Sequence, residues 1–170
     1  MNPITFEDYE RALAKEKYFG RRWHYYERAI QMAQSLNPES VLEIGAYQLP
    51  LFHDSTVMDR RKNHPRTLVH DALESPWPFT DRQFNLGLAL QVFEHFEGRQ
   101  REAFNEMCRV CDKVILSYPW RWRSNDKSHA DIDFEDLQKW TGQHFTEAQI
   151  VGPPECRRAI CVFEPHMRIT

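Results

Sequence analysis

Short apolar runs alternate with stretches of helical spacing along most of the chain. The runs lie at residues 41–44, 56–58, 68–70, 86–90 and 114–117. Runs of this length predict buried strands, and the 86–90 run is nearly continuously apolar, as in a central strand covered on both faces. Strands that alternate with helices require right-handed crossovers. The pattern therefore predicts a Rossmann-like, doubly wound α/β sheet that is mostly parallel, with helices on both faces.

Two helices are predicted before the first strand. Thr5 lies three residues before Asp8, the spacing of a capping box, so we expect a helix from there to about Tyr18. Gly20 ends it. A second helix is predicted from Trp23 to about Leu36, because apolar residues recur at positions 26, 29, 30 and 33.

The end of the chain predicts an antiparallel hairpin. Residues 148–151 and 158–164 read as two strands joined by a Gly-Pro-Pro turn. No repeat or linker divides the chain, so one domain over residues 1–170 is expected. It would comprise N-terminal helices at 1–37, an α/β core at 38–164 and a tail at 165–170.

The amino-acid composition limits the kinds of partner that we expect for this protein. The 170 residues include 22 basic and 25 acidic side chains, giving a net charge of −3, which argues against a nucleic-acid partner. The 28% charged and 41% hydrophobic residues are ordinary for a globular protein. No apolar run suggests a signal peptide or a membrane span. We expect a cytoplasmic protein without a membrane partner.

Four cysteines fall in two loose pairs, Cys108 with Cys111 and Cys156 with Cys161. Without a secretion signal, reduced thiols packed between helix and sheet are expected, and no metal. The alternative, in which Cys108-x-x-Cys111 is half of a zinc site, stays open at this stage.

Several motifs follow one another in a recognisable order. Val41-Leu42-Glu43-Ile44-Gly45 resembles the acidic-x-Gly-x-Gly-x-Gly motif of class I S-adenosylmethionine-dependent methyltransferases of the type 11-like kind. The match extends over roughly residues 41–163. Asp71-Ala72-Leu73, and then residues 84–96 with a Glu94-His95 pair opening the next helix, resemble the third and fourth strand regions. Residues 106–110 and 114–119 resemble the next helix and the fifth strand.

The resemblance implies a small methyltransferase that uses S-adenosyl-L-methionine and methylates a small molecule. Tyr47 and Leu49 stand where the family has its second and third glycines. If they occlude the site, Tyr47→Gly should raise cofactor affinity. We expect instead that the tyrosine shapes the pocket, so that the change lowers affinity. The alternative function is a non-catalytic relative that binds or assembles with a partner protein, and a homodimer also stays open.

The resemblance also implies cofactor-binding residues. Asp59, at the end of the second strand, would accept from the ribose hydroxyls, and Asp71 from the adenine amino group. Tyr18, Arg21 and Arg22 would reach the methionine carboxylate, or else form a solvated basic patch. Asp59 also fits a plain surface acid. The implied cofactor residues are Glu43, Gly45, Ala46, Tyr47, Asp59, Asp71, Ala72, Leu73, Gln91 and Val92.

Candidate catalytic and substrate-binding residues lie later in the chain. His95 and His129 are expected as the base for a hydroxyl acceptor, because histidine titrates near neutrality. Glu94 and His95 equally fit a capping role. The predicted substrate-binding residues are Tyr118, Trp120, Arg121 and Trp122, an aromatic and basic loop after the fifth strand. The alternative is that these tryptophans pack beneath the N-terminal helices.

Overall fold

One mixed sheet forms the centre of the protein. The computed structural model describes residues 1–122 and 131–165, and within them the strands are β1 (Val41–Ile44), β2 (Thr56–Asp59), β3 (Thr67–Val69), β4 (Phe84–Leu90), β5 (Cys111–Pro119), β6 (Glu147–Val151) and β7 (Arg158–Phe163). Their spatial order is β3-β2-β1-β4-β5-β7-β6. Strands β1 to β5 pair in parallel, whereas β7 is antiparallel to both β5 and β6. The predicted parallel sheet with a C-terminal antiparallel hairpin is confirmed.

Helices cover both faces of the sheet. They are α1 (Phe6–Lys15), α2 (Trp23–Ser35), α3 (Gln100–Val110) and α4 (Phe134–Thr141). Successive side chains of a strand point to opposite faces. Leu86 and Leu88 of β4 accordingly join the core under α1 and α2, while Ala89 joins the core under α3 and α4. This double coverage explains why β4 reads as a continuous apolar run.

The first helix is shorter than predicted, although its start is as expected. Thr5 Oγ1 accepts from the Asp8 N–H at 3.2 Å, and Asp8 Oδ2 accepts from the Thr5 N–H at 2.8 Å, which completes the capping box. The helix ends at Lys15 and not near Tyr18. The chain turns there because Phe19 is buried and its carbonyl oxygen accepts from the Tyr9 hydroxyl at 2.6 Å.

The bounds of β3 and β5 also differ from the prediction. β3 covers 67–69, so His70 lies outside it. β5 begins directly after α3 and continues to Pro119 because it is paired on both sides, with β4 and with β7. Tyr118 and Pro119 therefore belong to the strand, opposite Ala159 and Arg158, and not to the loop that follows.

The crossover between β1 and β2 contains no helix. Residues 45–55 follow an irregular path that the rest of the chain holds in place. Arg66 donates to the carbonyl oxygens of Phe52, at 3.0 Å, and Ser55. Ile4 donates its N–H to the Leu51 carbonyl oxygen at 2.9 Å, so the N-terminal segment lies along this loop. Among the described helices, none has the length and apolar character to cross a bilayer.

Candidate functional site

A cavity of about 540 Å³ opens at the carboxyl edge of the sheet. It lies where β1 and β4 are neighbours, the point at which the strand order reverses and where α/β sheets bind ligands. Seven of the ten residues that the resemblance implies for the cofactor line it, together with the candidate base His95. The seven are Gly45, Asp59, Asp71, Ala72, Leu73, Gln91 and Val92.

Gly45 shapes the floor of this cavity. Its φ is +64°, and a Cβ placed on it would lie 2.7 Å from Val92 Cγ2. A larger residue would therefore be strained in the backbone and would collide with the end of β4. The first glycine of the motif is required here so that the ends of β1 and β4 can approach each other.

Asp59 ends β2 with its carboxylate held at the cavity. Its oxygens accept from the Arg61 N–H at 3.0 Å and from the Asn63 side-chain amide at 3.3 Å. These bonds fix the side chain in a turn of the kind that aspartate forms with the backbone two residues on. The carboxylate is half-buried and retains lone pairs for a ligand donor.

The loop after β3 is held by its own hydrogen bonds. Asp71 Oδ1 accepts from the Leu73 N–H at 2.9 Å, and Trp77 Nε1 donates to the Ala72 carbonyl oxygen at 3.0 Å. Trp77 is itself buried, which fastens the loop to the core. The Leu73 N–H is therefore already paired inside the loop.

The remaining motif residues line a second, much smaller void of about 30 Å³. Glu43, Ala46 and Tyr47 border it, and the Tyr47 ring packs against Tyr18 with ring centroids 5.3 Å apart. Tyr47 has a φ of +53°, so a tyrosine adopts the left-handed conformation that favours glycine. The side of the site where the methionine moiety is expected is thus closed by two aromatic rings.

Glu43 anchors the β1–β2 loop from beneath. One carboxylate oxygen accepts from the Leu51 N–H at 2.7 Å and the other from the Phe52 N–H at 3.0 Å. The side chain is buried, and this burial raises its pKa, although the two N–H groups oppose the shift. Since both oxygens are engaged, the acid of the motif holds the loop that carries Tyr47.

Arg22 lines the smaller void and contacts Gln91, which lines the larger cavity. Arg21 is exposed and lines neither of them. The Arg22 guanidinium donates to the Tyr18 carbonyl oxygen at 3.0 Å and to Gln91 Oε1 at 2.8 Å. It also lies over the Tyr18 ring, 4.1 Å from the centroid. The N-terminal segment is therefore tied to the end of β4 through one arginine.

Glu94 and His95 lie in a short 3-10 helix, Phe93–His95, and do not open the next helix as expected. α3 begins only at Gln100, because Glu97 and Gly98 both have positive φ values, +47° and +89°, which interrupt helical geometry. The short 3-10 helix places the Glu94 and His95 side chains in different environments. His95 is exposed and lines the cavity, whereas Glu94 is buried.

The predicted substrate wall is divided in the structure. Tyr118 is buried beside Trp140 at 6.0 Å, and Trp120 packs on Phe134 at 4.4 Å, so both belong to the core beneath α4 and not beneath the N-terminal helices. Arg121 is exposed and pairs with Asp133 at 3.2 Å. Trp122 lies beside Arg158 on the side of α2. His129 lies outside the described residues.

The sequence did not indicate some residues that matter here. Arg60, His70 and Glu97 also line the cavity, but as polar residues in loops they carried no distinguishing pattern. Within residues 1–122 and 131–165, no group of three or more histidine, cysteine or acidic residues is placed to hold a metal ion. Burial raises the pKa of Cys108 to about 12, which keeps that thiol protonated.

Solved structures match most of this chain. The methyltransferase domain of bacterial CtHen1 has a TM-score of 0.58 at 14% identity, covering 82% of this chain and 97% of that domain. An S-adenosylmethionine-dependent methyltransferase from Aquifex aeolicus has a TM-score of 0.54 at 12% identity, covering 78% and 87%. A protein of Bacillus halodurans C-125 assigned as a methyltransferase has 0.59 at 13%, covering 81% and 96%.

No family model matches the sequence, and a search of curated proteins finds no match. The relationship is therefore visible in structure and not in overall sequence similarity. The strand order, the antiparallel C-terminal hairpin and these neighbours agree with one another. The protein has the class I methyltransferase fold.

Proposed function

We propose that the protein is an S-adenosylmethionine-dependent methyltransferase that acts on a small-molecule acceptor. The observation that carries this proposal is the cavity of about 540 Å³ at the point where the strand order reverses. Residues from the ends of β1, β2 and β4 and from the loop after β3 meet there. Its size is within the range of small-molecule and cofactor sites.

The side chains present fit such a cofactor. Asp59 offers a carboxylate for the ribose hydroxyls, and Asp71 offers one for the adenine amino group. Gly45 keeps the floor free of a side chain, as the 2.7 Å clash of a Cβ with Val92 indicates. When bound, the cofactor supplies an electrophilic methyl group on sulfonium sulfur. The task of the protein is then to orient the acceptor in line and to receive its proton.

Other parts of the proposal concern roles that follow from the resemblance. Arg22 is the cation nearest the smaller void and would bind the methionine carboxylate through charge-assisted hydrogen bonds. His95 lines the cavity and remains a candidate base, as does His129. Location in the cytoplasm and assembly as a homodimer stay predictions from the sequence.

A second candidate function is a non-catalytic binding protein. It is favoured by the closed methionine side, where Tyr18 and Tyr47 leave a void of about 30 Å³. An adenosine-type ligand would fit the open cavity without moving those rings. This candidate differs from the first in one measurable property, the binding of ligands that carry the amino acid tail.

Calorimetric titration with S-adenosylmethionine, S-adenosylhomocysteine and adenosine separates the two functions. The methyltransferase proposal expects saturable one-to-one binding of both tailed ligands. Binding of adenosine alone would favour the binding protein. No heat with any of the three at high micromolar concentration would refute a cofactor site. Transfer of a radiolabelled methyl group from S-adenosylmethionine to an acceptor would then establish catalysis.

A further inference from the structure

Arg22 carries a half-buried positive charge at the edge of the proposed cofactor site. Within residues 1–122 and 131–165 its guanidinium forms no salt bridge. It donates instead to two neutral oxygens, the Tyr18 carbonyl oxygen at 3.0 Å and Gln91 Oε1 at 2.8 Å. A guanidinium bonds roughly twice as strongly to a carboxylate as to a neutral oxygen. Arg22 therefore has a weaker partner than a carboxylate ligand would offer.

The position of Arg22 allows its guanidinium to change partners. Arg22 lines the smaller void, whereas Gln91 lines the larger cavity. The backbone of Arg22 is fixed at the start of α2, because its N–H donates to the Tyr9 hydroxyl at 3.1 Å and its carbonyl oxygen accepts from the Tyr26 N–H at 3.0 Å. An exchange of partner therefore requires rotation of the side chain alone.

Gln91 is held firmly at the end of β4. Its N–H donates to the Ser117 carbonyl oxygen of β5 at 2.9 Å. Its φ of +58° lies in the left-handed region, which is strained for a residue with a side chain. Such strain is concentrated at functional sites. Gln91 thus presents its side-chain oxygen to Arg22 from a backbone that the sheet fixes in place.

Arg22 also holds the ring that closes the smaller void. Its guanidinium lies over the Tyr18 ring, 4.1 Å from the centroid, and that ring packs against Tyr47 with centroids 5.3 Å apart. Tyr18 is 48% exposed, so these contacts make up much of what fixes its side chain. When Arg22 changes partner, Tyr18 loses its contact with the guanidinium. The partner of Arg22 and the closure of the void are therefore coupled.

We propose that the Arg22–Gln91 hydrogen bond is an autoinhibitory contact, which keeps the smaller void closed until Arg22 exchanges Gln91 Oε1 for a ligand carboxylate. This inference rests on the proposed function, which assigns the amino acid tail of the ligand to that void. The exchange replaces a neutral acceptor of Arg22 by a charged one, so it is favourable for a tailed ligand. A ligand without the tail gives Arg22 no reason to leave Gln91.

The first test compares S-adenosylhomocysteine with 5′-methylthioadenosine, which has the same nucleoside and thioether but no amino acid group. Gln91→Glu retains the size of the side chain and gives Arg22 a charged acceptor. It should weaken binding of S-adenosylhomocysteine by at least about tenfold and leave that of 5′-methylthioadenosine within about twofold. Gln91→Leu removes the acceptor, so S-adenosylhomocysteine should bind at least as tightly as to wild type. Gln34→Glu, an exposed change on α2, is the control and should alter neither affinity.

A double-mutant comparison separates the exchange from simple repulsion of the ligand. In an Arg22→Gln background no exchange occurs, so Gln91→Glu should weaken binding of S-adenosylhomocysteine by less than about threefold. A further loss of about tenfold or more there would mean that the new carboxylate repels the ligand, and would overturn the proposal. Weaker binding to both Gln91→Glu and Gln91→Leu, with normal thermal unfolding, would show that Gln91 binds the ligand itself and would also overturn it.

The second test observes the contact itself by nuclear magnetic resonance. The Nε–H signal of Arg22 is identified by its loss in Arg22→Lys, and the side-chain amide signals of Gln91 by their loss in Gln91→Leu. Saturation with S-adenosylhomocysteine should shift both sets of signals, whereas 5′-methylthioadenosine should leave the Arg22 signal in place. An unmoved Arg22 signal at saturating S-adenosylhomocysteine would show that the contact persists, and would refute the exchange.

Failure of this inference and failure of the proposed function give different results. If S-adenosylhomocysteine binds neither wild type nor Gln91→Leu, the proposed function fails and the inference with it. If it binds wild type and Gln91→Glu equally well, the proposed function stands and the autoinhibitory contact alone is refuted.

Discussion

The proposed function assigns recognition of the cofactor to two carboxylates, Asp59 at the end of β2 and Asp71 in the loop after β3. Asp59 and Asp71 are both half-buried, and short turns hold both side chains at the same cavity. A buried hydrogen-bond partner is worth more than an exposed one, because its loss leaves a ligand donor unsatisfied. Binding should therefore be sensitive to each of the two residues.

Asp59→Ala and Asp71→Ala should each weaken binding of S-adenosylhomocysteine by about 1–3 kcal/mol. Calorimetry on the purified variants measures this directly. Asp54→Ala, an exposed change in the β1–β2 loop, is the control and should bind as wild type. If affinity is retained in both test variants while their thermal unfolding remains normal, the ligand is held by other groups.

The raised pKa of Glu94 also predicts how stability depends on pH. The folded state keeps the Glu94 proton up to a pKa of about 8, whereas the unfolded chain releases it near the ordinary value of 4.5. Between these values the folded state binds more protons, so its stability falls as pH rises. The slope from one such group is at most about 1.4 kcal/mol per pH unit.

Glu94→Gln should therefore flatten the decline of stability between pH 5 and pH 8. Urea unfolding at several pH values gives the two curves. Glu43, whose pKa burial also raises, contributes a similar decline in both proteins, so the difference between the curves isolates Glu94. Parallel curves would show that Glu94 is ionised in the folded protein at neutral pH.

At the scale of elements, the β1–β2 crossover depends on side chains that replace a helix. Glu43 binds two backbone N–H groups of the loop, and Arg66 binds two of its carbonyl oxygens. Together they provide partners that a helix would otherwise supply through its own backbone. The conformation of the loop therefore depends on these two side chains.

Loss of the Glu43 carboxylate should strongly destabilise the protein. Glu43→Ala should lower the free energy of unfolding by about 3 kcal/mol, because two buried N–H groups lose their acceptor. Glu43→Gln keeps one acceptor oxygen and should cost roughly half as much. Urea denaturation measures both. Equal stability of Glu43→Ala and wild type would mean that water replaces the carboxylate.

The N-terminal segment and this loop meet over the methionine side of the site. Tyr18 is exposed, and its ring packs on Tyr47, which also contacts Phe19. The sequence led us to expect that Tyr47 shapes the pocket and that Tyr47→Gly lowers affinity. The small volume of the void there, about 30 Å³, instead favours the alternative, in which the tyrosine occludes the methionine side of the site.

We therefore expect Tyr18→Ala and Tyr47→Gly to raise the affinity for S-adenosylhomocysteine, and Tyr18→Ala to leave adenosine binding unchanged. The reason is that only the tailed ligand must displace the ring pair. Tyr47→Gly also removes a tyrosine from positive φ, a relief of roughly 1–2 kcal/mol. A fall in affinity for both ligands would restore the expectation that the tyrosine is part of the binding surface.

For the whole molecule, the sequence predicts what local periodicity determines. The five parallel strands and the hairpin follow from apolar runs, because a strand buried on both faces needs such runs. The apolar run of β4 also shows where that strand ends, and so predicts the position of the carboxyl edge of the sheet. These features require no knowledge of which distant residues meet.

Features that depend on contacts between distant residues could not be predicted from the sequence. The length of β5 is set by pairing with β7, which carries Tyr118 and Trp120 into the core and away from a ligand. Glu94 and Arg158 carry buried atoms without a hydrogen-bond partner among the described residues, and this burial becomes apparent only in the fold. Arg158 itself lies in an apolar run that gives no sign of its burial.

The central claim is that the protein binds S-adenosylmethionine in the cavity between the ends of β1 and β4. A crystal structure grown with saturating S-adenosylhomocysteine tests it most directly. We expect the ribose hydroxyls within hydrogen-bond distance of Asp59, the adenine beside Asp71 and Ala72, and the rings of Tyr18 and Tyr47 moved apart around the amino acid tail. A ligand bound elsewhere, or a cavity without ligand at saturating concentration, would contradict the account.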